Sequence, residues 1–326
     1  MALPIAVIAV PVPDATLARL NAGCSPILGI APGDRATLRA VLATAEGVLS
    51  PAPTPYDVAM LDAAPHLRVI SNFGVGFNNV DLADCTHRGI AVCNTPGVLS
   101  GAVADLTMLF ILAVARHFTA NERYASSGGW SRGEPSPGLG FDLPGKVLGL
   151  VGYGRIGRET ATRARAFGMS AVYFDAIPQD DGGLATPLPF DELLRTADIV
   201  SLHVNLTPQT RHLISTRELS LMKRSAWIVN TARGPVIDQV ALVAALREGR
   251  IAGAALDVVE VEPPPESEPL LTMPNVITLP HIGSATVETR AAMLELSVSN
   301  LLAVLHGETP PSCVNPEALP KAFVRR

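Results

Sequence analysis

Val147-Leu-Gly-Leu-Val-Gly152-Tyr-Gly154-Arg-Ile-Gly157-Arg158 organises the chain around it. An apolar run enters a GxGxxG pattern, and a helical segment from Glu159 to Phe167 follows, which gives strand, tight turn and helix in that order. Gly152 permits the turn, Gly154 lets backbone approach a pyrophosphate, and Gly157 lets the helix pack on the strand. The anion then sits on the helix N-terminus. The pattern alone is weak, since turn glycines serve many purposes. Its context adds a second strand, Ser170-Ala-Val-Tyr-Phe174, ending in Asp175, 18 residues beyond Gly157. An acid at that place accepts the ribose hydroxyls of NAD and repels the 2′-phosphate of NADP, so NAD is the expected cofactor.

A length of 326 residues suggests about two domains, and 48% apolar residues suffice for buried cores. A net charge of −5, with no run of lysine or arginine, argues against a nucleic-acid partner. Cys24, Cys85, Cys93 and Cys313 form no CxxC pair and have no histidine at metal-ligand spacing. No metal and a reduced, cytoplasmic setting are therefore expected. The apolar start, Met1 to Val10, has no basic residue before Arg19 and contains Pro4, so it reads as a first strand rather than a signal peptide. Leu106 to Ala115 is too short to span a bilayer and is closed by Arg116-His117, which predicts a buried helix and no membrane association.

Residues 1–99 alternate apolar runs with helical patterns: strands at Ile5 to Val10, Ile27 to Ile30, Gly47 to Leu49 and Leu67 to Ser71, helices at Ala15 to Leu20 and Ala36 to Thr44. Such alternation predicts a small parallel sheet covered by helices. After Ser71 comes Asn72-Phe-Gly74-Val75-Gly76, which offers backbone amides to a substrate carboxylate or serves only as a strand-to-helix turn. A long helix is expected from Gly101 to Tyr124, as a connector between domains, and a surface loop carrying Trp130 over 126–145. Beyond 147 the βα units continue, with strands at Asp198 to His203, Ala226 to Asn230, Ala254 to Val258 and Val276 to Leu279. Helices are expected at Ser215 to Met222, Gln239 to Glu248 and Ala285 to Leu305. The fold class is α/β, with two doubly wound parallel sheets.

Three strand ends carry polar residues that a core would reject: Asn230-Thr231-Ala232-Arg233-Gly234, Asp257 through Glu262, and Pro280-His281-Ile-Gly283-Ser284. In a parallel sheet these ends share one edge with the glycine turn. Arg233 offers a planar fork for a substrate carboxylate. His281 can exchange a proton with a carbonyl oxygen, and Glu262 can fix its tautomer and favour its charged form. Singly each has a dull reading: a surface arginine, an acid in a Pro-rich loop, a histidine satisfying core carbonyls. Together, behind a dinucleotide fingerprint, they point to carbonyl reduction beside a carboxylate.

These segments, with Gly74-Val75-Gly76 and Asn94-Thr-Pro-Gly97, resemble the D-isomer-specific 2-hydroxyacid dehydrogenase family, most closely its glyoxylate/hydroxypyruvate reductase branch. The resemblance implies two Rossmann-like domains with a cleft between them. Residues 1–99 and 286–326 would form the substrate-binding (catalytic) domain and 100–285 the NAD-binding domain, in a chain that is usually a homodimer. It implies Arg233 as the residue orienting substrate, Glu262 as the partner of histidine and His281 as the acid/base. Cofactor contacts are implied at Val75, Gly152, Gly154, Arg155, Ile156, Gly157, Asp175, Val204, Thr231, Ala232, Arg233, Asp257, His281, Gly283 and Ser284. Gly74, Val75, Gly76 and Arg233 would meet a small 2-keto or 2-hydroxy acid. The family often has Asp where Asn78 stands. No regulatory domain of the long phosphoglycerate dehydrogenases is expected, and formate dehydrogenase would show Gln at Glu262. Rival readings are an NAD(H)-sensing corepressor-type protein and a dehydrogenase of phosphoglycerate or phosphonate.

Overall fold

The computed structural model describes residues 2–31, 33–51, 53–177 and 182–324. The chain divides into two units, one of Met1–Leu99 with Thr286–Arg326 and one of Ser100–Ala285.

In the first unit the strands are β1 (Ile5–Ile8), β2 (Ser25–Ile27), β3 (Gly47–Pro51), β4 (Val69–Phe73) and β5 (Ala91–Cys93), and the helices between them are α1 (Asp14–Gly23), α2 (Arg35–Leu42), α3 (Val58–Asp62) and α4 (Leu82–Arg88). All pairings are parallel, in the order β2-β1-β3-β4-β5. The strand run expected to Ile30 ends at Ile27, and α3, α4 and β5 are too short for a clear sequence period. Asp34, Asp57 and Asp81 each accept a backbone N–H of the following helix, so polar caps start these short helices where hydrophobic periodicity cannot.

The second unit contains α5 (Ser100–Ala115), α6 (Phe118–Ser126), β6 (Val147–Val151), α7 (Arg155–Ala166), β7 (Ser170–Phe174), β8 (Thr186–Pro187), α8 (Phe190–Thr196), β9 (Ile199–Leu202), α9 (Thr216–Leu221), β10 (Trp227–Asn230), α10 (Gln239–Arg247), β11 (Gly253–Leu256) and β12 (Val276–Thr278). Its seven strands are parallel in the order β12-β11-β10-β9-β6-β7-β8, which reverses direction between β6 and β9. Ligands of such sheets bind outside the carboxyl ends of the strands at this reversal. Apolar clusters cover both faces, one including Val200, Ile228 and Leu256, the other Leu150, Val229 and Phe110. The chain then completes the first unit with α11 (Val287–Leu305) and α12 (Leu319–Val324). There the buried Arg68 guanidinium donates to the carbonyls of Val304, Leu305 and Ala322, satisfying orphan groups at the ends of these helices.

The single helix expected from Gly101 to Tyr124 is two helices bent by 67°. His117 takes a left-handed conformation at the break, with φ of 47°. Phe141 N–H occupies the Ala115 carbonyl at 2.8 Å, and a Cβ on Gly140 would lie 2.0 Å from that oxygen. A returning loop therefore takes the acceptor that helix continuation would use. No single helix among the described residues is long and apolar enough to cross a membrane.

Candidate active site

β6 delivers the glycine turn. Gly152 has φ of 94°, and a Cβ there would lie 2.7 Å from His203 backbone, so both the conformation and the close approach require glycine. α7 starts at Arg155, four residues before the expected Glu159, because Gly154 is its N-cap. No side chain caps this helix, and open space surrounds Gly154, where a Cβ would meet nothing within 4 Å. Uncapped N–H groups at the end of a three-turn helix suit a pyrophosphate. Gly157 lies with its would-be Cβ 2.5 Å from the Gly152 carbonyl, which gives the close packing that the fingerprint predicts. Arg155 and Ile156 occupy the first turn of α7.

Asp175 follows β7. Its carboxylate accepts Tyr153 N–H at 2.6 Å and Ile177 N–H at 3.0 Å, so it is tied to the glycine turn and remains partly exposed. A carboxylate has lone pairs left for ribose hydroxyls after two such bonds. Val204 follows β9 beside the glycine turn, next to His203, a residue not singled out in the sequence. Burial pushes the His203 imidazole down to about 4, and its Nε2 lies 3.0 Å from Ser201 Oγ.

Thr231, Ala232 and Arg233 leave β10 in a loop shaped by buried Asn230, whose side chain accepts Ala232 N–H and donates to the Arg233 carbonyl. Thr231 Oγ1 lies 3.1 Å from Thr107 Oγ1 of α5. The Arg233 guanidinium donates to the Ala232 carbonyl at 2.7 Å. Burial lowers its pKa from the ordinary value, and the charge of Glu262 opposes that only in part. A partly buried arginine of this kind stays charged and favours an anionic ligand.

Glu262 and His281 follow β11 and β12. Glu262 Oε1 accepts Val259 N–H at 3.1 Å, and Oε2 accepts the His281 Nδ1 hydrogen at 2.7 Å. Burial works against the Glu262 carboxylate, but the His281 bond and charge, Val259 N–H and Arg233 outweigh it and leave its pKa below the usual range. His281 has φ of 55°, held by a bond from its amide to the Asp257 carbonyl at 2.8 Å. Asp257 is 2% exposed, and its two oxygens accept Ile282 N–H at 2.7 Å and Gly283 N–H at 2.8 Å. Burial raises its pKa despite those bonds. Asp257 thus shapes the loop of His281, Gly283 and Ser284. With Nδ1–H held, Nε2 of His281 is the nitrogen left for proton exchange.

In the first unit, the loop after β4 has its carbonyls engaged. Thr95 N–H donates to Gly74, Asn94 to Val75 and Asn72 to Gly76, at 3.0, 2.8 and 2.6 Å. The amides of Val75 and Gly76 have no partner among the described residues. Carbonyls turned away and two open amides can form an anion-binding edge, and Gly74 and Gly76 were the signal for it in the sequence. Among the described residues no cluster of His, Cys, Asp or Glu could hold a metal.

Residues 108–283 match the NAD binding domain of D-isomer specific 2-hydroxyacid dehydrogenases. Glyoxylate reductase of Thermofilum pendens is 48% identical over 268 residues, 81% of this chain and 79% of the relative. Glyoxylate reductase of Korarchaeum cryptofilum is 45% identical over 269 residues, 81% of each chain. The crystal structure of an NADPH-dependent glyoxylate/hydroxypyruvate reductase from Sinorhizobium meliloti, in complex with NADP and malonate, superposes with a TM-score of 0.88 at 34% identity. It covers 97% of this chain and 98% of that one. The chain belongs to the D-isomer specific 2-hydroxyacid dehydrogenase family and is an NAD-dependent enzyme that interconverts 2-keto and 2-hydroxy acids.

Proposed function

We propose that this enzyme works mainly as an NADH-dependent reductase of glyoxylate, hydroxypyruvate or a closely related 2-keto acid, giving the D-2-hydroxy acid. The observation that carries the reading is the 2.7 Å hydrogen bond from His281 Nδ1 to Glu262, with Arg233 on the neighbouring strand end. The names of the relatives above support the substrate.

Arg233 grips the substrate carboxylate with its fork and offers a donor to the keto oxygen. His281, with Nδ1–H held by Glu262, gives the Nε2 proton to that oxygen as it becomes a hydroxyl, and takes it back in the oxidative direction. In the first unit, the open amides of Val75 and Gly76 offer an anion-binding edge of their own. The residues around Gly152 and Gly154, with Val204, Thr231, Ala232 and Ser284, hold the dinucleotide, whose reduced nicotinamide supplies the hydride. Asp175 accepts the ribose hydroxyls and favours NAD over NADP. Residues 1–99 and 286–326 serve as the substrate-binding domain.

A homodimer in the cytoplasm completes the proposal. Leu109, Phe118, Trp130 and Leu139, each more than half exposed on the second unit, support a partner copy, and four cysteines without a disulfide fit a reducing compartment. Light scattering that reports a monomer would remove the dimer. For the activity, kcat/KM across glyoxylate, hydroxypyruvate, pyruvate and aromatic 2-keto acids, with NADH and NADPH, is the test. The highest values belong to the first two acids with NADH; a clear preference for an aromatic acid, or no turnover, overturns the reading.

A further inference from the structure

Three non-glycine residues among those described have a left-handed backbone, His117, His212 and His281, and His212 has φ of 52°. A bulky residue stays in that conformation when its surroundings over-determine it, and such positions concentrate at functional sites. His212 is held on two sides. Its amide donates to the Pro235 carbonyl at 2.8 Å, and Ile214 pairs with Ile237 beside it, so 212–214 is stitched to the segment that follows Arg233 and Gly234. Its ring reaches the other way, with Nε2 2.8 Å from Glu260 Oε1.

Glu260 stands two residues before Glu262. The same oxygen lies 3.2 Å from an Arg211 Nη, and Glu260 N–H donates to Gln239 at 2.8 Å. The loop beyond is exposed, with Val261 61% accessible. Glu262 bonds within its own loop through Val259 N–H, which cannot fix that loop against Arg233. The backbones touch at Gly234, where a Cβ would lie 1.8 Å from the Val259 carbonyl, so a small slip of either loop is felt by both.

We propose that His212 is a positioning residue: joined by its backbone to the Arg233 loop and by its ring to Glu260, it keeps Glu262 in register with Arg233 and aimed at His281. The inference rests on the catalytic reading of those three residues. The groups facing His212 are Glu260, Arg211 and Asp238, the last engaged by Ser215 and Ala241 N–H. Those facing His281 are Glu262 and Asp257, so a displaced Glu262 leaves the ring without its carboxylate partner.

The test compares His212→Ala, His212→Gln and Glu260→Gln with Arg233→Ala and His281→Ala. Glyoxylate reduction is followed against pH, and NADH affinity by fluorescence. His212→Ala is expected to lower kcat/KM by about tenfold or more, as misplacement of a reacting group does. It should also move the alkaline limb to lower pH with NADH affinity intact. Gln, whose amide can donate where Nε2 does, recovers most of the rate. Wild-type kcat/KM and an unmoved limb in His212→Ala overturn the proposal. Should that variant fail to bind NADH through misfolding, Glu260→Gln decides: a lowered rate with the same pH shift supports the brace, and wild-type behaviour refutes it. Undiminished turnover in Arg233→Ala and His281→Ala would refute the catalytic reading itself. Loss in those two with none in His212→Ala or Glu260→Gln refutes only the positioning role.

Discussion

His281 Nδ1 and Glu262 Oε2 lie 2.7 Å apart although each is carried by its own loop, after β12 and β11 respectively. Register between those strands, Leu256 opposite Thr278, brings the loops side by side. The left-handed turn at His281 then aims the ring back at the carboxylate. Each partner depends on the other: the bond holds Glu262 anionic, and the anion stabilises the imidazolium.

Glu262→Gln removes that charge and keeps the shape. Because the native carboxylate is held below its usual range, it is anionic throughout the neutral region and favours protonated His281. Without it the proton donor loses its charged partner, so the alkaline decline of keto-acid reduction should move to lower pH. The pH dependence of kcat/KM checks this, and a limb that stays in place would show that Glu262 does not govern the proton donor.

Asp175→Ala should narrow the preference for NADH over NADPH by about tenfold, since the repulsion of a 2′-phosphate and the ribose contacts disappear together. The same carboxylate holds Tyr153 N–H, so weaker NADH binding alone would be ambiguous. The informative readout is the ratio of kcat/KM for the two cofactors. An unchanged ratio would place the ribose elsewhere.

His203 makes a stability prediction. Its folded pKa, about 4, lies below the ordinary 6.5, so the unfolded chain binds this proton more readily. The stabilisation is fully present above the unfolded value and is lost as pH falls from 6.5 towards 4, up to about 3 kcal/mol. Denaturant midpoints across that range should fall less steeply for His203→Gln than for wild type. Parallel curves would mean that His203 is not held neutral.

Much of this was legible in the chain because the signals are local. A glycine turn between an apolar run and a helix, Asp175 at the end of the next strand, and polar residues at three strand ends can each be read without tertiary knowledge. The break at His117 could not be read, because Arg116-His117 ends the apolar run without a Gly or Pro and the polar segment to Tyr124 is still compatible with a helix. What ends the helix is Phe141 N–H taking the Ala115 carbonyl from across a loop. Asp257 shows the same limit. Its place at a strand end marked it for the site, but that its carboxylate binds the amides of Ile282 and Gly283 follows from the pairing of β11 with β12.

By itself the sequence determined the α/β class and the dinucleotide turn and marked Arg233, Glu262 and His281 as candidates, since hydrophobic period, glycine spacing and side-chain chemistry are properties of short stretches. Only the tertiary structure decided that Glu262 faces His281, that Arg233 is partly buried beside the Glu262 charge, and that His212 reaches Glu260 from another strand's loop. Those relationships depend on strand order and burial, which long-range packing sets and no local pattern encodes.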